Sequence, residues 1–299
     1  MKEIIQLPII GDRMPTVNSL SSGKTSSYMA TLHPADYEVF SLVRIEHEDA
    51  RLKDKKMVQY IEDKIQMPFI ATAENDLSLY VMRDLEQLIG REIHWVTGPT
   101  FDEVIGDKNY LPNVMSRFCT VEMKLYPIFI FCYQLGKVRM RIGYRGDEIE
   151  RQIGMYYNHK RGEIKYPNLI EFPSEMRQNK NGKWIKKNAV FDWRCIEFPF
   201  CQRGQSVFYS DVQEWAEKTG IKFPKDSNCE GCFHKNFAQI QKNLRGTNKA
   251  NWWIGKETKV GSRFKKEDTY DNAINKMAFP LDMFSEGYYT MCDSGGCTD

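Results

Sequence analysis

The chain has 299 residues, 41% of them hydrophobic and 13% aromatic, enough apolar side chain to bury the core of one large domain or two small ones. Lysine and arginine number 42 against 40 aspartates and glutamates, so no global field directs the chain to nucleic acid or to an acidic membrane. The longest apolar run, Tyr126 to Tyr133, is too short to cross a bilayer, and no membrane association is expected. Eight cysteines without an N-terminal signal pattern predict a reducing, cytoplasmic setting. There they act as thiols or metal ligands rather than as a disulfide framework.

Residues 1–15 read as a lead-in or edge segment. Thr16 to Leu20 alternates like a strand and runs into the polar loop Ser21-Ser22-Gly23-Lys24-Thr25-Ser26, with a helix-compatible run from Ser27 to Leu32. Strand, tight loop and helix aim free backbone N–H groups at an anion, and the hydroxyls and Lys24 add donors and charge. This is the signature of a phosphate- or sulfate-binding turn. A Walker loop fits it less well: Gly23-Lys24-Thr25 suits that motif's end, but its first glycine falls on Asn18, inside the strand.

Tyr37 to Ile45 predicts a second strand, and Glu46 to Asp49 a polar turn at its carboxyl end, where open α/β sheets bind ligands. His47, Glu48 and Asp49 therefore read as lining for a nucleotide site or, alternatively, as metal ligands. A helix is expected over residues 51–65, a short strand from Phe69 to Thr72, a helix from Asp76 (its N-cap) to Leu88, and a strand from Ile93 to Val96. Strand and helix patterns alternate, which predicts an α/β fold: a mainly parallel sheet with helices on both faces. Farther on, Val138 to Tyr144 reads as a strand whose end carries Arg145, Asp147, Glu148 and Arg151. Arg145 there suits bidentate contact with phosphate or sulfate. Asp147 or Glu148 would orient it or bind Mg²⁺.

Residues 155–190 are basic and polar with interleaved aromatics, and Asn181-Gly182 signals a hairpin. Such an inserted basic hairpin is compatible with single-stranded nucleic acid. The clearest helix lies between Phe208 and Pro224, with Ser210 as cap, Gln213 three residues on and Gly220 at its end. Cys229 and Cys232 form a C-x-x-C; Cys292 and Cys297 form a C-x4-C. Together they suit a tetrahedral thiolate site for Zn²⁺ or a [4Fe–4S] cluster. Between the pairs, Lys242 to Lys266 is basic and contains Trp252-Trp253, suited to an active-site lid or to polynucleotide contact. The expected division is a nucleotide-binding α/β domain over residues 1–225 and a cysteine-containing subdomain over residues 226–299.

Four ordered motifs resemble the phosphoadenosine phosphosulfate (PAPS) reductase-like branch of the adenine-nucleotide α-hydrolase (PP-loop) superfamily. Ser21 to Ser26 resembles its S-G-G-x-[DT]-S loop, with Ser22 in place of a glycine and Thr25 where ATP-cleaving members carry Asp. Ser116 to Pro127 resembles C-C-x-x-x-K-x-x-P: Cys119 takes the first cysteine, Thr120 replaces the second, and Lys124 and Pro127 are in register. Gly143 to Glu148 resembles G-[IV]-R-[AG]-[DE]-E, with Tyr144 for the aliphatic residue, Ile149 for the serine that follows and Arg151 beyond. The helix before Cys229 resembles the one preceding the family's C-terminal cysteine motif, with Trp215 in its aromatic slot.

The resemblance implies binding of an adenine nucleotide, PAPS or ATP, by Ser21, Ser22, Gly23, Thr25, Ser26, Arg117, Lys124, Asp147, Glu148 and Arg151. Lys24 and Arg145 would neutralise oxyanion charge. In a reductase a tail thiol, Cys297, attacks the sulfonate sulfur and a thiol reductant completes the cycle, with Cys119 a candidate cluster ligand. Two alternatives stand beside it. One is an ATP pyrophosphatase-type sulfur transferase using Mg²⁺, a sulfur donor and a nucleic acid substrate. The other is a non-catalytic nucleotide- or nucleic-acid-binding module.

Overall fold

The early strands are buried at almost every position, so both of their faces are covered. In the computed structural model, which describes residues 4–160, 176–178, 184–186, 190–225 and 228–276, the lead-in forms β1 (Ile4–Gln6) and the alternating stretch forms β2 (Thr16–Leu20). Next come α1 (Lys24–Leu32), β3 (Tyr37–Leu42), β4 (Arg44–Ile45) and α2 (Lys55–Ile65). β5 (Ala71–Thr72), α3 (Leu77–Ile89), β6 (Ile93–Thr97) and α4 (Phe101–Lys108) continue the chain. A short α5 (Phe118–Thr120), a π turn (Val121–Leu125) and α6 (Tyr126–Leu135) then make one helical stretch, followed by β7 (Val138–Arg141) and α7 (Ile149–Lys160). The strands β8 (Met176–Gln178), β9 (Trp184–Lys186), β10 (Val190–Asp192) and β11 (Arg194–Glu197) precede α8 (Tyr209–Thr219), α9 (Phe237–Leu244) and α10 (Lys249–Val260).

Five strands form the central sheet in the order β6-β3-β2-β7-β11, every pair parallel. Val17 and Val39 face a cluster with Ile128, Phe129 and Cys132 of α6; Leu20, Phe40 and Leu42 face one with Met57 and Ile61 of α2 and Leu79 and Leu85 of α3. Residues two apart share a face, so the sheet is covered on both sides, as the alternating pattern predicts. Among the described residues no helix is long and apolar enough to cross a membrane.

Several boundaries differ from expectation for local reasons. The second strand breaks at Val43, whose carbonyl accepts from Thr72 Oγ1 (2.8 Å) and the Ala73 N–H (3.3 Å). Arg44–Ile45 consequently pairs antiparallel with Ala71–Thr72, and the strand expected at Phe69 to Thr72 stays out of the main sheet. Asp76 takes the N-cap position of α3 as expected, but its side chain pairs with Lys249 (2.7 Å) instead of capping the helix, and the Leu77 N–H donates to Asn75 Oδ1 (3.0 Å). Ser210 lies inside α8; Asp211 accepts from the Phe208 N–H (2.7 Å) instead, and Gly220 ends the helix at φ +72° as expected. The strand expected to reach Tyr144 ends its ladder at Arg141. Pro127 sits at the start of α6, and the π turn before it accommodates the N–H that proline lacks. Of the basic insertion, β8 and β9 pair as an antiparallel hairpin; Asn181-Gly182 lies outside the described residues.

One expectation is overturned outright. Trp252 and Trp253 are 2% and 1% exposed, so neither forms a lid surface or a stacking platform for a polynucleotide. Trp252 Nε1 donates to Asp102 Oδ1 (3.0 Å), and Trp253 packs against Phe264 and lies over Gly231, where a Cβ would come within 2.5 Å of the indole. Both belong to a core cluster shared by Val43, Ile45, Ala71 and Phe101 with Phe233, Ile240 and Tyr270. Residues 228–276 thus pack against the carboxyl-end extension of the sheet.

Candidate functional site

The chain leaves β2 toward β3 on one side, while β7 lies against β2 on the other. The strand order reverses there, and in open parallel sheets this opens a crevice beyond the carboxyl ends of the two strands. The two segments at those ends are Ser21 to Ser26 and Ile142 to Arg145.

The loop is shorter than expected, because α1 begins at Lys24 with Gly23 as its N-cap. Among the described residues no side chain caps that helix and no acid lies in its first turn. Its leading N–H groups are therefore open to an anion. The serine hydroxyls, expected to face a ligand, close the loop on itself. The Ser21 N–H donates to Ser26 Oγ (3.2 Å), Ser26 Oγ donates to the Gly23 carbonyl (3.2 Å), and Ser22 Oγ donates to the Ser21 carbonyl (2.5 Å). Ser22 has φ +58°, the left-handed region where a side chain costs roughly 1–2 kcal/mol and glycine nothing.

From the other side, Gly143 brings β7's continuation against the loop. A Cβ there would lie 3.3 Å from both the Cα and the N of Ser26. Arg145 follows, its side chain 10% exposed. Its Nε and Nη2 donate to the two carboxylate oxygens of Asp147 (2.9 and 3.2 Å), and its Nη1 lies 3.4 Å from Glu148 Oε2. Nη1 also reaches Thr25 Oγ1 at 3.4 Å, across the crevice. Glu148 in turn holds Arg151 (2.6 Å), and the Arg145 guanidinium lies 5.4 Å from the centre of the Tyr209 ring. Asp147 and Glu148 thus hold the Arg145 guanidinium beside the helix N-terminus.

Lys24 extends from the same first turn, and its Nζ donates to Gln213 Oε1 of α8 at 2.6 Å. Burial pulls its pKa below the ordinary lysine value, partly opposed by Glu217. Two further groups escaped sequence reasoning. Gln213 was legible only as a helix-cap partner. Cys201 Sγ donates to the carbonyls of Tyr144 (3.1 Å) and Arg145 (3.3 Å), with no motif to announce it. Burial, then Glu148 and Asp147, push that thiol up to about 11, so it serves as a donor under the arginine turn rather than as a nucleophile.

Other expected site residues stand apart from this crevice. Lys124 is buried in an ion pair with Glu74 (2.6 Å). Lys249 of α10 extends the network to the Glu74 carbonyl (2.5 Å), Asp76 (2.7 Å) and Glu230 (3.4 Å). Arg117 precedes α5 and acts on His234, which burial, Arg117 and Lys265 lower to about 4; this places it beside the cysteine turn. Glu48 is engaged by Arg51 through two 2.8 Å hydrogen bonds, and among the described residues no three His, Cys, Asp or Glu side chains gather as a metal site. Cys119 and Cys229 pack against one apolar cluster, Cys232 is buried, and the Cys232 N–H closes the C-x-x-C turn on the Cys229 carbonyl (3.0 Å). Cys292 and Cys297 lie outside the described residues.

No protein-family model and no curated protein matches the chain.

Proposed function

We propose that the chain is a PAPS reductase-like enzyme that binds the anionic end of an adenine nucleotide at the crevice between β2 and β7. The observation that carries this reading is the convergence of an uncapped α1 N-terminus and Arg145, linked at 3.4 Å through Thr25, at the point where the strand order reverses. The N–H groups of Gly23, Lys24 and Thr25 and the Arg145 guanidinium would share one sulfate or phosphate. Asp147 and Glu148 are committed to Arg145 and Arg151, which favours a sulfonucleotide over a Mg²⁺-dependent use of ATP. In the proposed reaction a tail thiolate, Cys297, attacks the sulfonate sulfur. The S–O bond to the nucleotide phosphate breaks, and that oxygen leaves with the bond pair. A thiol reductant then attacks the enzyme cysteine's sulfur, releasing sulfite and forming a disulfide.

Calorimetric titration with PAPS, adenosine 3′,5′-bisphosphate and ATP tests the site. We expect the wild-type chain to bind the sulfonucleotide and Gly23→Val to lose it, because the branched side chain occupies the anion's place. Undiminished binding by Gly23→Val overturns the reading; preference for ATP with Mg²⁺ moves it to the sulfur transferase.

A zinc ion or a [4Fe–4S] cluster fits the thiol chemistry of Cys229 and Cys232, which a tight turn brings together, Cys232 buried and Cys229 against an apolar cluster. The described residues supply no closed site, so Cys292 and Cys297, or Cys119, would complete it. Such a group would tie the tail to the α/β body. Metal analysis is expected to show loss in the Cys229→Ser, Cys232→Ser double variant, and full retention there defeats the proposal. Loss in Cys119→Ser with retention in both tail variants would assign the third position to Cys119 and leave Cys297 to the chemistry.

A further inference from the structure

Several buried or half-buried lysines in this fold are held by carboxylates. Lys124 meets Glu74, Lys249 meets Asp76 and Glu230, Lys256 meets Asp102, Lys64 meets Glu86 and Lys137 meets Asp192. Lys24 breaks the pattern. Half-buried in the first turn of α1, it donates to the carboxamide oxygen of Gln213 at 2.6 Å, and among the described residues no carboxylate comes within ion-pair distance of it. Glu217, one turn farther along α8, is felt only at longer range. The contact is well anchored. One turn after Lys24, Tyr28 stacks on Trp215 with ring centroids 5.0 Å apart and meets Phe200 at 5.5 Å, so α1 and α8 are registered against each other beside the loop.

A carboxamide and a carboxylate of the same length make the same hydrogen bond to an ammonium, but only the carboxylate cancels its charge. We propose that Gln213 is a positioning residue that holds Lys24 at the mouth of the loop while leaving its positive charge for the bound anion. The proposal rests on the anion-binding reading of the loop and names a residue on another element that sets the site's charge. It also gives α8 a role: the helix carries an uncharged acceptor to the one lysine whose charge the site uses.

Two isosteric changes separate positioning from packing. Gln213→Glu keeps the hydrogen bond and adds an ion pair, so the α1–α8 contact should melt no lower than in the wild type. Its affinity for PAPS and adenosine 3′,5′-bisphosphate should nevertheless fall about tenfold or more, with a shallower dependence on salt. Gln213→Met keeps the volume and the lysine's charge but loses its orientation, and should weaken binding less than Gln213→Glu. Calorimetry at two salt concentrations and thermal melts of the three proteins supply the readings. Opposite movement of stability and affinity in Gln213→Glu supports the proposal. Wild-type affinity in Gln213→Glu overturns it, as does an equal loss in both variants that tracks a lowered melting temperature. Absence of binding by the wild-type chain itself would instead remove the nucleotide reading, and this proposal with it.

Discussion

Arg145→Ala is expected to weaken binding of PAPS and adenosine 3′,5′-bisphosphate by about 10- to 100-fold, the range for losing charge-assisted hydrogen bonds worth roughly 1.5–3 kcal/mol. The loss has two sources. The fork facing Thr25 disappears, and Asp147, 40% exposed, loses the partner it holds through two hydrogen bonds. An unpartnered carboxylate beside the crevice then repels the incoming anion. Arg145→Lys retains the charge, yet an ammonium cannot hold both oxygens of Asp147 while presenting a second edge to the loop. It should bind closer to the alanine variant than to the wild type. Far-ultraviolet circular dichroism establishes that each variant is folded, and calorimetry gives the affinities. Nucleotide binding by Arg145→Ala at wild-type strength would show that the guanidinium belongs to the local ion-pair network alone.

Much of this crevice could be read before any coordinates. The strand from Thr16 to Leu20 is as expected, since alternation is a local signal and both faces of the strand are buried. The turn at Arg145 also follows from local pattern, because the residues that orient the guanidinium lie two and three positions beyond it. What escaped is what lies far along the chain. Lys24 and Gln213 are 189 positions apart, and nothing in either segment announces the other. The Trp252-Trp253 pair misled for a related reason. A basic, aromatic-rich stretch has the composition of a nucleic-acid surface, but α10 turns both indoles inward against Phe101, Gly231 and Phe264. Composition records which groups are present, and only packing decides which of them reach solvent. Strand two failed at Val43 on the same ground: its β-rich sequence continues to Ile45, but the competing partner, Thr72, comes from elsewhere in the chain.

Lys124→Met is expected to produce the largest loss of stability, about 3–5 kcal/mol, the usual cost of leaving one member of a buried ion pair unpaired. Glu74 is 1% exposed, and among the described residues its Oε2 has no hydrogen-bond partner, so removal of the ammonium 2.6 Å from its Oε1 leaves a desolvated charge. The loss should spread to residues 228–276, because Lys249 of α10 bonds the Glu74 carbonyl and pairs with Asp76 and Glu230 in the same network. Lys124→Met with Glu74→Leu removes both charges and should regain most of the stability, since an apolar pair of similar volume is commonly neutral or better. The double variant also separates the two roles open to Lys124. A lysine that only holds the fold gives a double variant that is stable and binds nucleotide normally. A lysine that also serves the nucleotide, as its place in the K-x-x-P motif implies, gives one that is stable and binds poorly. Chemical denaturation of the three proteins measures the first quantity and calorimetry the second. A Lys124→Met chain that unfolds at the wild-type denaturant concentration would mean that Glu74 takes up a proton or a new partner at little cost, and the ion pair would lose its place as the tie between the sheet's carboxyl edge and α10.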